Sequence, residues 1–101
     1  MDAVDVCRKA GELVSGPRAA SHGDKYINHS CIARLWNAYL RNAGLIEDRG
    51  ELDPTDVALM MALLKVARTQ SGGAHNEDNY VDLAGYAGVS AETAAVDRSN
   101  V

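Results

Sequence analysis

Apolar residues recur along this chain at the three- and four-residue spacing of helices, and no stretch alternates as a half-buried strand would. Ala3, Cys7, Ala10 and Val14 mark a first helix near 3–14, capped by Asp2 and ended by Gly16-Pro17. Ile27, Cys31, Leu35 and Ala38, flanked by Ile32, Trp36 and Tyr39, form the apolar line of a second near 24–43, with Gly44 as its C-cap. Asp53-Pro54-Thr55-Asp56 combines an N-cap, a proline at the first helical position and an acid where a capping box places one, and so opens a third helix over 54–69. That helix is apolar all round from Val57 to Leu64 and must be covered on several sides, by the bundle or by another subunit. Asn76 caps a fourth helix over 77–91, and residues from about 92 to 101 read as a flexible tail. The expected fold is an all-α, bundle-like four-helix single domain over 1–101, assembled as a homo-oligomer.

Composition excludes several classes. A formal charge of −4 without any Lys/Arg-rich run argues against a general nucleic-acid binder, whose affinity rests on neutralising phosphates. The longest apolar run, Val57 to Leu64, is too short to span a bilayer, and no charged segment precedes an apolar leader, so a cytoplasmic, non-membrane protein is expected. Cys7 and Cys31 fit the apolar phases of their helices and read as buried thiols rather than as a disulfide or zinc ligands. Trp36 and Tyr39 read as core for the same reason.

The candidate chemistry gathers around the segment His75 to Ala87. At about 100° per residue Asn79, Asp82 and Tyr86 share one flank of a helix, while Tyr80, Leu83, Ala84 and Ala87 share another. Asp78 and Asp82, one turn apart, are candidate ligands for a hard cation such as Mg²⁺, which would in turn hold phosphate; a solvated acidic helix start is the plainer reading. On the third helix Arg68 falls on the face of Val57, Met60, Met61 and Leu64, where a guanidinium needs either a carboxylate, for which Asp82 is the candidate, or a ligand phosphate. Lys65, at the edge of that face, would join it at the phosphate or reach along the surface to solvent. The loop between Gly16 and Gly23 carries Arg18 and His22, with Lys25 just beyond, as further anion ligands. Tyr86 or Trp36 would contact a base. His75 reads as a surface-loop residue.

Two resemblances attach to these residues. Asp78-Asn-Tyr-Val-Asp-Leu-Ala-Gly-Tyr-Ala87 resembles the second half-motif of the all-α, MazG-like nucleoside triphosphate pyrophosphohydrolases, whose Glu-x-x-Asp helix supplies magnesium ligands; Asn79 and Asp82 stand at those positions, and only the aspartate matches. Their first half-motif, Glu-Glu-x-x-Glu, has no counterpart here. The resemblance therefore implies binding of a nucleotide or related phosphate ligand with Mg²⁺, and leaves open whether the chain is an enzyme; an active one would release pyrophosphate from a nucleoside triphosphate. The wider pattern, from Arg18 through Trp36-Asn-Ala-Tyr-Leu40 and Asp53-Pro-Thr-Asp-Val-Ala-Leu-Met-Met-Ala-Leu-Leu-Lys-Val-Ala-Arg68 to the acidic helix, is similar to a family of small phage and prophage proteins. That likeness implies a bacterial host cytoplasm and an alternative role in counter-defence, either by sequestering a signalling nucleotide or by contact with a host defence protein. For such contact the acids Glu47, Asp48, Glu51 and Asp53 would face a basic partner, unless they form an ordinary solvated turn.

Overall fold

The computed structural model describes residues 1–16, 24–47 and 50–99, with side chains as far as Val96. Four helices carry the chain: α1 (Ala3–Ser15), α2 (Lys25–Asn42), α3 (Pro54–Gln70) and α4 (Glu77–Ser99). No strand occurs among the described residues, so the fold is all-α. Each predicted start has its cap. Asp2 and Asp5 form a reciprocal capping box on α1, and Asp53 and Asp56 form another on α3 with Pro54 at its first turn. Asp24 accepts from the Ile27 amide at α2, and Asn76 accepts from the Asp78 amide at α4. Gly44, at φ +73°, follows the end of α2 in the left-handed conformation that glycine adopts without strain.

α4 is the spine. It packs along α3 and against α1, and touches α2 as well. It also runs to Ser99, well past the expected end at 91. Glu92 and Thr93, where a loose tail was expected to begin, are part of the bundle: Glu92 lies 3.4 Å from Lys25, and Thr93 is 0% exposed, its hydroxyl 2.9 Å from that of Thr55.

The interior is made of small and polar side chains. Ala10, Ala33, Val57, Ala58, Val81 and Val89 are its buried apolar members, alongside His29, Asn37, Lys65, Asn79, Ser90 and Thr93. Full burial of a valine such as Val57 or Val81 is worth about 1.5 kcal/mol or slightly more. The polar members are tied off, as buried polar groups must be. Asn37 donates to the Leu52 carbonyl at 3.0 Å and accepts from the Leu52 amide at 2.8 Å, which clamps the linker before α3 onto α2. His29 Nδ1 lies 2.8 Å from the Lys25 carbonyl.

These tethers rotate α2 away from the orientation its apolar line predicts. Lys25, His29, Ala33 and Asn37, at four-residue spacing, face inward, held by Glu92 at one end and Leu52 at the other. The line expected in the core, Ile27, Cys31, Leu35 and Ala38, is exposed, and Tyr39 with it. Trp36 is half-buried. Cys7 on α1 is exposed too, so neither thiol is the buried one expected. On α3 the outward side shows Leu59, Met60, Leu63 and Leu64. The Cα radius of gyration is 14.9 Å, against about 13 Å for a compact chain of this length. No helix of the described residues is long and apolar enough to cross a membrane.

Candidate functional site

Of the predicted site residues, Lys65, Asn79 and Asp82 fall on the seam between α3 and α4. Pro54, Val57, Ala58 and Lys65 are the buried residues of α3. Lys65 lies about 80° round the helix from Val57, close to the line of Ala58 at about 100°. The buried face of α3 is therefore centred on its smallest residues, where α4 approaches, and not on Met60 and Leu64. This displaces Arg68, which is exposed rather than facing the core, and of the two expectations for Lys65 its burial overturns the reach to solvent.

Asp82 consequently pairs with Lys65 and not with Arg68. Lys65 Nζ donates to Asp82 Oδ2 at 2.9 Å, with the lysine side chain 11% exposed and the aspartate 32%. An ammonium in the seam thus sits behind a carboxylate whose outer side meets water. Ammonium and carboxylate at this separation attract strongly in a partly desolvated setting, and the half-open side leaves lone pairs of Asp82 free for a further partner.

One turn before Asp82, Asn79 is buried and donates from Nδ2 to the Gly73 carbonyl at 3.0 Å. The Gly73 amide in turn donates to the Arg68 carbonyl at 2.9 Å. A Cβ at Gly73 would stand 2.5 Å from Asn79 Nδ2 and 2.7 Å from the Arg68 oxygen, so only glycine fits this turn. Tyr80 adds a hydroxyl donated to the Ala74 carbonyl at 2.7 Å. Asn79, offered by the sequence as a ligand residue, locks the α3–α4 turn and thereby sets the register that brings Asp82 opposite Lys65. Its amide nitrogen is engaged in that work.

Asp78 is exposed in the first turn of α4, where its charge suits the helix N-terminus. Tyr86, on the flank of Asp82, is half-buried, and its carbonyl accepts from Ser90 Oγ at 2.7 Å. Arg18, His22 and Asp48 lie outside the described residues. Of the other linker acids, Glu51 pairs with Arg41, Asp53 caps α3, and Glu47 is exposed.

Among the described residues no group of three His, Cys, Asp or Glu side chains gathers as a metal cage. Mg²⁺ takes one or two carboxylates and leaves its remaining positions to water and phosphate oxygens; Asp78 and Asp82 would offer it two, the first exposed and the second paired with Lys65.

A concavity away from the seam was not foreseen. An open groove of about 430 Å³ lies between the start of α1 and the start of α4, lined by Val6, Cys7, His75 and Tyr80 among others. At its rim the Met1 ammonium donates to Glu77 at 2.9 Å, which holds that amine in its charged form above its usual range. Periodicity assigned Cys7 to the core and His75 to a plain loop, and no spacing signal connects two segments so far apart in sequence.

A family model described as a domain of unknown function, DUF6378, matches residues 5–94 and so takes in most of the four helices. The chain is similar to the Gene 55 protein of Mycobacterium phage L5, 45% identical over 86 residues that make up 85% of this chain and 50% of that protein. It is also similar to the Gene 55 protein of Mycobacterium phage D29, 35% identical over 83 residues, 82% of this chain and 49% of that one. The chain spans about half the length of the curated relatives it matches. No solved structure matches it.

Proposed function

The chain belongs to the DUF6378 family, with relatives among phage proteins, and from that premise we propose that it binds a nucleotide or a related phosphate ligand, with Mg²⁺, at the α3–α4 seam. The observation that carries this reading is the Lys65–Asp82 pair, a buried ammonium behind a half-open carboxylate. A buried ion pair is a poor device for stability alone, since apolar replacement of both members is often neutral or stabilising. A lysine beside a carboxylate that can take Mg²⁺ does suit a phosphate, which the ammonium contacts as a point charge while the metal bridges to the acids. In this reading Asp78 and Asp82 hold the ion, Lys65 turns to the phosphate when Asp82 turns to the metal, and exposed Arg68 adds a second cation. Tyr86, on the same flank as Asp82, would contact the base. The likeness of Asp78 to Ala87 to a pyrophosphohydrolase half-motif supports the same ligand class.

The test is a thermal-shift series on wild type and Asp82→Asn, with nucleoside mono- and triphosphates, each with and without Mg²⁺. Ligand that binds only the folded state raises the melting temperature by mass action. Wild type should rise with Mg²⁺ and nucleotide together, and the variant should not. A flat series for wild type would overturn the site. Pyrophosphate release from any triphosphate in the same mixtures would make the protein an enzyme, and binding without release a nucleotide-holding protein.

A further inference from the structure

α2 carries an exposed ridge built from residues of core type. Ile27, Leu35 and Tyr39 are 64%, 72% and 71% exposed, and Cys31 between them is exposed as well. The inward side of the same helix is accounted for by Lys25, His29, Ala33 and Asn37 and their tethers. Rotating the ridge into this chain's own interior would break both Asn37 bonds to Leu52 and the Lys25–Glu92 pair. Whatever covers the ridge must come from outside these four helices.

We propose that the ridge is covered by the same ridge of a second copy of the chain, the two α2 helices packed antiparallel about a two-fold axis. The positions 27, 31, 35 and 39 are evenly spaced and symmetric about residue 33. A two-fold interface requires that if residue i meets residue j, then j meets i. About residue 33 that rule sets Ile27 against Tyr39 of the second copy and Cys31 against its Leu35. Both of these pairs are apolar, and a small residue meets a large one at the centre. A row at four-residue spacing is also the ridge that interlocks with its own kind in the commonest class of helix packing.

Area agrees with a dimer of modest affinity. With Ala38 also exposed, the face offers on the order of 500 Å² per copy, which doubles to about the 1,000 Å² that a specific interface should clear. The dimer therefore dissociates on dilution. It is independent of the nucleotide reading, because no residue of the Lys65–Asp82 site lies on the ridge.

Sedimentation velocity on the intact chain across a micromolar concentration series tests this, with wild type compared to Leu35→Glu and Tyr39→Ser and helicity followed by circular dichroism. The expected result is a mass that doubles with concentration for wild type and stays at one chain for both variants, with unchanged helicity. A short bis-maleimide should trap the dimer in Cys7→Ser and fail to do so in Cys31→Ser, because the axis brings the two Cys31 residues close together. A wild type that stays monomeric at every concentration would overturn the proposal and leave the ridge to a different partner. So would a dimer that survives Leu35→Glu, or one cross-linked through Cys7 alone. If Leu35→Glu loses its helical signal, Tyr39→Ser and the cross-link decide by the same criteria.

Discussion

The seam between α3 and α4 and the outward ridge of α2 both draw on helical periodicity, and they reach opposite environments. At the seam the buried residues are Val57, Ala58 and Val81, small enough to let two helix backbones approach, and the space that remains admits a lysine paired to an aspartate. On α2 the bulkier row of Ile27, Leu35 and Tyr39 points to solvent, while Ala33 and two hydrogen-bonded polar residues face inward. Size and tethering, rather than hydrophobicity alone, decide which face of each helix turns inward. Close packing favours small residues where helices cross, and a buried amide with two backbone bonds fixes rotation in a way that a leucine cannot.

The sharpest way to break this contrast is to place the same charge in both regions. Val57→Asp, at a fully buried position, puts an unpaired carboxylate in the seam and should destabilise by more than about 4 kcal/mol, enough to abolish cooperative folding. Leu35→Asp on the ridge should leave the stability of the monomer within about 0.5 kcal/mol in urea unfolding at high dilution. Equal losses at both positions would mean that the ridge is core within one chain.

A smaller effect separates pairing from packing inside the seam. Lys65→Met removes one member of a pair whose aspartate is about a third exposed. The loss should be about 2 kcal/mol, between the range for breaking a buried pair and the median for a surface one. Adding Asp82→Leu to Lys65→Met should recover most of it, since the unpaired carboxylate is then gone. Urea midpoints of the three proteins at fixed pH measure both steps. No recovery in the double variant would show that Lys65 stabilises through its packed stem rather than through Asp82.

What the sequence made legible follows the same division. Helix starts are written in local chemistry, so Asp2, Asp24, Asp53 with Pro54, and Asn76 each mark an observed cap. A pairing of α3 with α4 through Asp82 was also visible, since Arg68 was read as a cation in need of a carboxylate. The cation that takes that place is Lys65 instead, because the face of α3 was centred on its largest apolar residues when the crossing selects Ala58. The rotation of α2 was hidden for a similar reason. Lys25, His29, Ala33 and Asn37 form a stripe of their own, but its mixed polarity carries no signal until Leu52 and Glu92 are seen to satisfy it. The groove at Cys7 and His75 depends on where α1 lies against α4, which no local pattern encodes.

The α3 cap tests whether the seam depends on its helix start. Asp53 accepts from the Asp56 amide at 2.7 Å, and its own amide donates to Asp56 at 3.0 Å. Asp53→Ala should cost about 1 kcal/mol, read as a lower melting temperature at neutral pH. The ridge of α2, on a different helix, should keep its behaviour in association.

The smallest expected effect lies at the opposite end of the bundle, where α1 meets α4 far from either contrasted region in sequence. The Asp2 amide donates to Asp5, and Arg8 donates to the same carboxylate at 3.1 Å; together, the amide first, they hold the Asp5 carboxyl below its ordinary value of 3.8. A carboxyl lowered on folding stabilises the folded state above its unfolded value, and that contribution fades as acid takes the pH down through the folded one. The start of α1 should therefore loosen below about pH 4, seen as faster amide exchange over Val4 to Cys7 than over Val57 to Met61. Asp5→Asn should remove the acid dependence at α1 and leave exchange over α3 as it is in wild type. If exchange at α1 and α3 instead accelerates in step as the pH falls, with or without Asp5, acid is opening the bundle as one unit, and the α1 cap has no separate pH response.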